Sequence, residues 1–129
     1  MTDGNEVRDG LYYSKTHEWI QRNGETAKIG MTDYAQEQMS ELVYAELPIV
    51  GKKYQQGDLF GQVESIKTVA AVSCPTDCEV IEVNSEIIND PLIINQSPYD
   101  KGWFAVVKLD NFDLSSLLNS DEYKKFIGL

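Results

Sequence analysis

The chain has 129 residues, enough for one domain and for a core that needs no cross-links. Its apolar fraction, 42%, is ordinary for a globular protein and argues against wholesale disorder, and no apolar run approaches the ~20 residues of a membrane helix. Twenty-one acidic against 11 basic side chains give a net charge of −10, a field that repels nucleic acid and anionic membrane surfaces and favours basic protein partners.

Residues 1–10 read as a loose polar tail with three acidic side chains, Asp3, Glu6 and Asp9. It has no apolar signal core and no Arg-rich amphipathic leader, so the expected setting is intracellular, or that of a chain whose leader has been removed. Residues 11–129 read as a single domain. Segments 12–15 and 18–21 alternate enough to be strands, Asn23-Gly24 is a turn, and 26–30 is the return strand. Thr32 or Asp33 caps a short helix over 34–39, with Glu37 in its early turns. Segment 42–47 is strand-like until Pro48, and Gly51 and 55–58 are turn material. Strands follow at 59–63, 68–73 and 79–83, with Pro75-Thr76-Asp77 as a turn. Residues 89–98 read as a loop with an apolar centre, and 103–109 as the last strand. Residues 113–127 read as a helix, because Leu114, Leu117, Leu118, Tyr123 and Phe126 fall on one stripe. Short strands at frequent turns with two peripheral helices predict a mostly-β sandwich or barrel.

One stretch is ambiguous. Val63, Ile66, Val69 and Ala70 also fit helical spacing, with Glu64 and Lys67 as an i,i+3 pair. The density of β-branched residues there favours strands.

Groups for chemistry are few. His17 is the single histidine, and Thr16-His17-Glu18-Trp19 matches no nucleophile motif, so it reads as structural. Cys74 and Cys78 with His17 fall short of the four ligands of a closed zinc site, so no metal is expected. The two cysteines read as free thiols, with a disulfide across the turn as the alternative. There is no phosphate-binding glycine loop and no carboxylate pair in an apolar setting. Trp19, Trp103 and the tyrosines read as core and rim. Lys67 differs: it is the single base between Gly61 and Val72, it lies between two strands, and Glu64 precedes it by three residues. An amine on a rigid hairpin tip is accessible to a modifying enzyme, and acylation would turn it into a stable amide tether.

Glu64-Ser65-Ile66-Lys67 between strands resembles the lipoylation site of the H protein family of the glycine cleavage system. The likeness extends to Tyr13-Ser14-Lys15-Thr16-His17-Glu18-Trp19-Ile20, to Ile29-Gly30-Met31-Thr32-Asp33-Tyr34-Ala35-Gln36-Glu37, to Glu46-Leu47-Pro48 and Gly51, and to Phe60-Gly61-Gln62-Val63. It continues through Glu82-Val83-Asn84, Asn89-Asp90-Pro91, Asn95-Gln96-Ser97-Pro98-Tyr99 and Gly102-Trp103, so that residues 12–127 are covered. The resemblance implies a barrel-sandwich hybrid of the lipoyl-domain kind, with lipoate joined to Lys67 as an amide and with Glu64 and Gly51 as lipoylation-recognition residues. It implies a non-catalytic carrier of the aminomethyl group of glycine. The P protein, a pyridoxal-phosphate glycine decarboxylase, would load the arm; the T protein, an aminomethyltransferase, would unload it; the L protein, a dihydrolipoyl dehydrogenase, would reoxidise it. The loaded arm would lie in a cleft of the domain. A lipoate ligase, or a lipoyl or octanoyl transferase, would attach the group. The implied compartment is the cytoplasm in a prokaryote and the matrix of a mitochondrion or related organelle in a eukaryote.

The chain departs from the family pattern at Cys74, where Ser is usual, and at Cys78, where Gly is usual, which predicts a different turn there. Ile66 and Thr68 replace Val and Ala beside the lysine, which keeps the strand pattern. Ile66-Lys67-Thr68 fits neither the Met-Lys-Met of biotinyl domains nor the Asp-Lys-Ala of 2-oxoacid dehydrogenase lipoyl domains. A stand-alone enzyme and an unmodified acidic interaction module are weaker readings. The other carrier reading is an H-like protein that serves lipoate relay or a specialised lipoyl-dependent modification system.

Overall fold

A computed structural model describes residues 3–129. In chain order the elements are β1 (Tyr12–Tyr13), β2 (Glu18–Asn23), β3 (Thr26–Met31), α1 (Asp33–Met39), β4 (Leu42–Glu46), β5 (Lys53–Tyr54), β6 (Leu59–Ser65), β7 (Val69–Ser73), β8 (Cys78–Val83), α2 (Glu86–Asn89), α3 (Leu92–Gln96), β9 (Ala105–Leu109) and α4 (Ser120–Phe126). The strands form a six-stranded sheet, β1-β2-β3-β9-β8-β5, and a three-stranded sheet, β4-β6-β7. Every pairing is antiparallel. The sheets do not close on one another, and the expected mostly-β architecture stands.

Alternation is what makes the sandwich. Ile20, Ile29, Val80 and Val107 of the larger sheet and Ala45, Val63 and Val72 of the smaller sheet are buried in one shared cluster. Gly24, at φ +65°, makes the tight connection of the β2–β3 hairpin, as Asn23-Gly24 predicted. Thr32 is the helix cap: its Oγ1 accepts from the Ala35 N–H. Gly61 marks a close approach within the smaller sheet, because a Cβ there would stand 2.5 Å from the Glu46 carbonyl oxygen.

Three segments differ from their expected form. The helix expected at 113–127 spans Ser120–Phe126 only. Before it, Asp113 accepts from the Ser115 N–H, and Leu118 exchanges two backbone hydrogen bonds with Tyr13, so β1 captures this segment as an extended partner. Leu114 and Leu117 still reach the core from this irregular chain. The helix itself begins at a capping box between Asn119 and Glu122. The expected loop at 89–98 contains α3, and α2 ends where that loop was expected to begin; Ile87 and Ile94 drive the two helices into the core. β5 had no counterpart in the sequence reading; it pairs Lys53 with Glu79 and Tyr54 with Cys78.

Residues 3–10 are tied to the body. The Glu6 N–H donates to Asp33 Oδ2, Tyr99 Oη donates to the Glu6 carbonyl, and Arg8 forms a bidentate pair with Asp100 at 2.7 and 2.9 Å. Met1 and Thr2 of the expected tail lie outside the described residues.

A second cluster is aromatic. Tyr13 stacks on Tyr123 with ring centroids 4.5 Å apart, and Trp19 and Tyr99 join them. Buried Trp19 donates to the carbonyls of Met31 and Pro98. The Tyr123 hydroxyl sits 2.8 Å from both Thr32 Oγ1 and His17 Nδ1, so α4, the α1 cap and the β1–β2 connection meet at one atom. His17 takes φ +74°, a left-handed conformation, to reach this position.

Two consequences can be measured. Gly61→Ala pushes a methyl group into a fixed carbonyl and should cost about 1–3 kcal/mol in denaturant unfolding. Burial holds the His17 imidazole below its ordinary value of 6.5, so the unfolded chain takes up that proton first. The stability this group contributes is present above pH 6.5 and is lost as pH falls through the lower folded value. The drop in Tm between about pH 7.5 and about pH 5.5 should therefore be smaller in His17→Asn, a residue that tolerates positive φ, than in the wild type.

Candidate functional site

Strands β6 and β7 run together from the core to a three-residue tip, Ile66-Lys67-Thr68. Their rungs pair Val63 with Ala70 and Glu64 with Val69. The helical alternative for this stretch is thereby excluded. The buried Ser65 side chain closes the tip. Its Oγ accepts from the backbone N–H of both Lys67 and Thr68 at 3.3 Å, and its own N–H donates to the Thr68 carbonyl at 2.9 Å. Ser65 thus satisfies the donors that a turn leaves free, a role that its sequence position did not signal.

Beyond Ser65 the tip has little cover. Ile66 is 89% exposed, Lys67 and Thr68 are exposed, and Val69 is 57% exposed. Among the described residues the ion pairs are those of Arg8, so the Lys67 ammonium stands unpaired. An apolar Ile beside a free amine on a rigid turn is a contact surface rather than a packed one.

Glu64 sits one rung in from the tip, half-buried, and its Oε1 accepts from Gln62 Nε2 at 3.1 Å. It pairs with Tyr44 on one side and Val69 on the other, so all three share a face next to the lysine. Gly51 lies elsewhere. It follows the end of β4 that runs away from the tip, takes φ +87°, and donates its N–H to the Val80 carbonyl in the larger sheet. The fold therefore brings Glu64 beside Lys67 and leaves Gly51 in a separate turn.

Two hollows flank the hairpin. One, of about 390 Å³, lies between the tip and the end of α1 and carries Glu37 and Glu41. The other, about 310 Å³, is mostly apolar: Met31, Met39, Val63 and Ala70 form its walls, and Thr16, His17 and Glu18 contribute its polar edge. β7 leads from Lys67 directly into this cleft, since Ala70 is the third residue past the lysine, within ~10 Å along the strand.

Glu18 is the unusual group there. It is 2% exposed. Its Oε1 accepts from Ser14 Oγ at 2.7 Å and from Thr16 Oγ1, and its Oε2 accepts from the Ser73 N–H at 3.2 Å. Burial raises its pKa despite these three hydrogen bonds, which favour the carboxylate. An anion held at such a cost, at the rim of an apolar cleft, is a ready partner for a small cation.

Cys74 and Cys78 are free thiols in the folded chain. Cys78 opens β8 with an ordinary negative φ, so the turn does without the conformational freedom of the usual glycine.

A sequence model of the glycine cleavage H-protein family matches residues 11–128. The chain is 48% identical over 123 residues to the glycine cleavage system H protein of Thermoanaerobacter sp. (strain X514), covering 95% of this chain and 97% of the relative. It is 45% identical over 121 residues to the mitochondrial glycine cleavage system H protein of Flaveria trinervia, covering 93% and 73%. A crystal structure of a glycine cleavage system H protein from Mycobacterium marinum superposes with a TM-score of 0.89 at 32% identity, covering 95% of this chain and all of the other. The fold, the isolated lysine on its hairpin and these near full-length similarities agree: the chain belongs to the glycine cleavage H-protein family.

Proposed function

We propose that this protein is the lipoylated carrier of a glycine cleavage system, with the lipoyl group joined as an amide to Lys67. The observation that carries this reading is the exposed, unpaired amine at the tip of a core-anchored hairpin, in a chain of this family. When attached, the lipoyl group supplies a dithiolane that receives the aminomethyl unit of glycine at the P protein, yields it at the T protein and is reoxidised at the L protein.

The protein's own side chains bind, present and shelter. Lys67 contributes the attachment nitrogen and a flexible four-carbon stem; β6 and β7 hold that stem at one point, so that tethering replaces bimolecular encounter by a high local concentration. Glu64, with Tyr44 and Val69 beside it, forms the face that a lipoate ligase or a lipoyl or octanoyl transferase reads. Gly51 contributes to recognition through the shape of its turn. The apolar cleft next to β7 excludes water, and the Glu18 carboxylate at its edge pairs with a cationic amine. In this role the side chains carry and shelter the group while the partner enzymes make and break its bonds, so the protein acts as a carrier subunit rather than as an enzyme. The net charge of −10 speeds docking to basic patches on partner proteins. The similarity to both bacterial and plant mitochondrial proteins fits the cytoplasm of a prokaryote or the matrix of a mitochondrion or related organelle.

Incubation with a lipoate ligase, lipoate and ATP should raise the intact mass by one lipoyl group, and Lys67→Ala should abolish the shift; a shift that persists in the variant places the attachment elsewhere. Glu18→Gln should leave lipoylation unchanged and shorten the lifetime of the loaded form roughly tenfold, read as ammonia release, because one charge-assisted hydrogen bond is lost.

A further inference from the structure

Cys74 and Cys78 have no part in carrying a lipoyl group, yet the fold brings them together. Cys74 follows the last residue of β7 and Cys78 is the first residue of β8. The turn between them folds both side chains inward, and their sulfur atoms stand 3.6 Å apart. Closing a disulfide, at ~2.05 Å, requires an approach of about 1.5 Å, within what side-chain rotation and a small turn adjustment supply. Among the described residues no set of three metal-ligating side chains forms, so the pair is suited to thiol–disulfide chemistry and not to a closed metal site.

The two thiols are not equivalent. Both are buried, Cys74 at 1% exposure and Cys78 at 0%, but Cys74 lines a groove of about 370 Å³ with Thr16, Gly57 and Leu117 and Cys78 does not. The hydrogen bond with Cys74, together with burial, pushes the Cys78 thiol up. A reagent in the groove lies nearer Cys74, and reaching its sulfur requires a local opening of the turn that frees it from the Thr76 carbonyl.

We propose that Cys74 and Cys78 form a reversible dithiol–disulfide site that takes a low-molecular-weight disulfide as its co-substrate. The Cys74 thiolate attacks one sulfur of the small disulfide, whose S–S bond breaks and releases one thiol carrying the Cys74 proton. The Cys78 sulfur then attacks Cys74 in the mixed disulfide, and the second small thiol leaves with the Cys78 proton. Two protein thiols are oxidised, and one small disulfide is reduced to two thiols. The new bond pins the β7–β8 turn beside Ser73, whose N–H holds Glu18 at the cleft. This site stands independently of the lipoyl reading.

The test uses the folded, unlipoylated full chain with glutathione disulfide at neutral pH, followed by intact mass and thiol counting after denaturation. The expected product has lost two hydrogen atoms, retains no glutathione, has no reactive thiol, and returns to the starting mass with dithiothreitol. Cys78→Ser should stop at one glutathione adduct on Cys74, and Cys74→Ser should stay unmodified while folded. Two persistent free thiols in the folded wild type, stable glutathione adducts on it, or oxidation confined to denaturing conditions would each overturn the proposal. If either variant fails to fold, the wild-type mass and thiol count decide alone.

Discussion

Val63 and Val72 are the fixed end of the β6–β7 hairpin. Both are buried in the core shared by the two sheets, while the same strands emerge past Ser65 into solvent. An arm carried on Lys67, as proposed, needs freedom at its end and none at its base. Burial supplies the second condition, because shifting either strand by one residue would turn its apolar set outward and its polar set into the core. The antiparallel rungs from β4 through β6 to β7 then carry that fixed register to the tip, and Ser65 closes it.

The other half of the molecule sets the cleft. The six-stranded sheet holds Glu18 at the start of β2, and the aromatic cluster holds His17 beside it through Tyr123. Thr32 caps α1 and also meets Tyr123, so one buried hydroxyl joins the C-terminal helix to the α1 cap and, through His17, to the polar edge of the cleft. Retaining a buried carboxylate here costs folding free energy. Its folded pKa is raised above the ordinary value, so the stability that the protonated acid contributes is fully present below that value and is lost as pH rises through the folded one. A group that weakens the fold at neutral pH and faces a cleft is best explained by what enters the cleft.

Much of this was legible in the sequence, for identifiable reasons. Strand alternation and Gly24 gave the hairpins, and the isolation of Lys67 among β-branched residues marked the tip. The helix after residue 113 was over-extended because a leucine stripe satisfies helical spacing and also an irregular segment laid against β1. α2 and α3 were missed because Ile87-Ile88 and Leu92-Ile93-Ile94 are too short to show a period. Ser65 and Glu18 were invisible as working residues for a different reason: their partners are set by the fold, and Glu18 meets Ser73, 55 residues away. The departures at Cys74 and Cys78 were visible, but their 3.6 Å proximity was not.

The central claim is that Lys67 carries an arm that serves glycine cleavage. It is tested most directly by glycine–bicarbonate exchange with a P protein, comparing the lipoylated and unlipoylated forms of this chain. The account predicts that only the lipoylated chain stimulates exchange and that stimulation saturates with its concentration. Full lipoylation at Lys67 with no stimulation of exchange would contradict it and would favour lipoate relay instead.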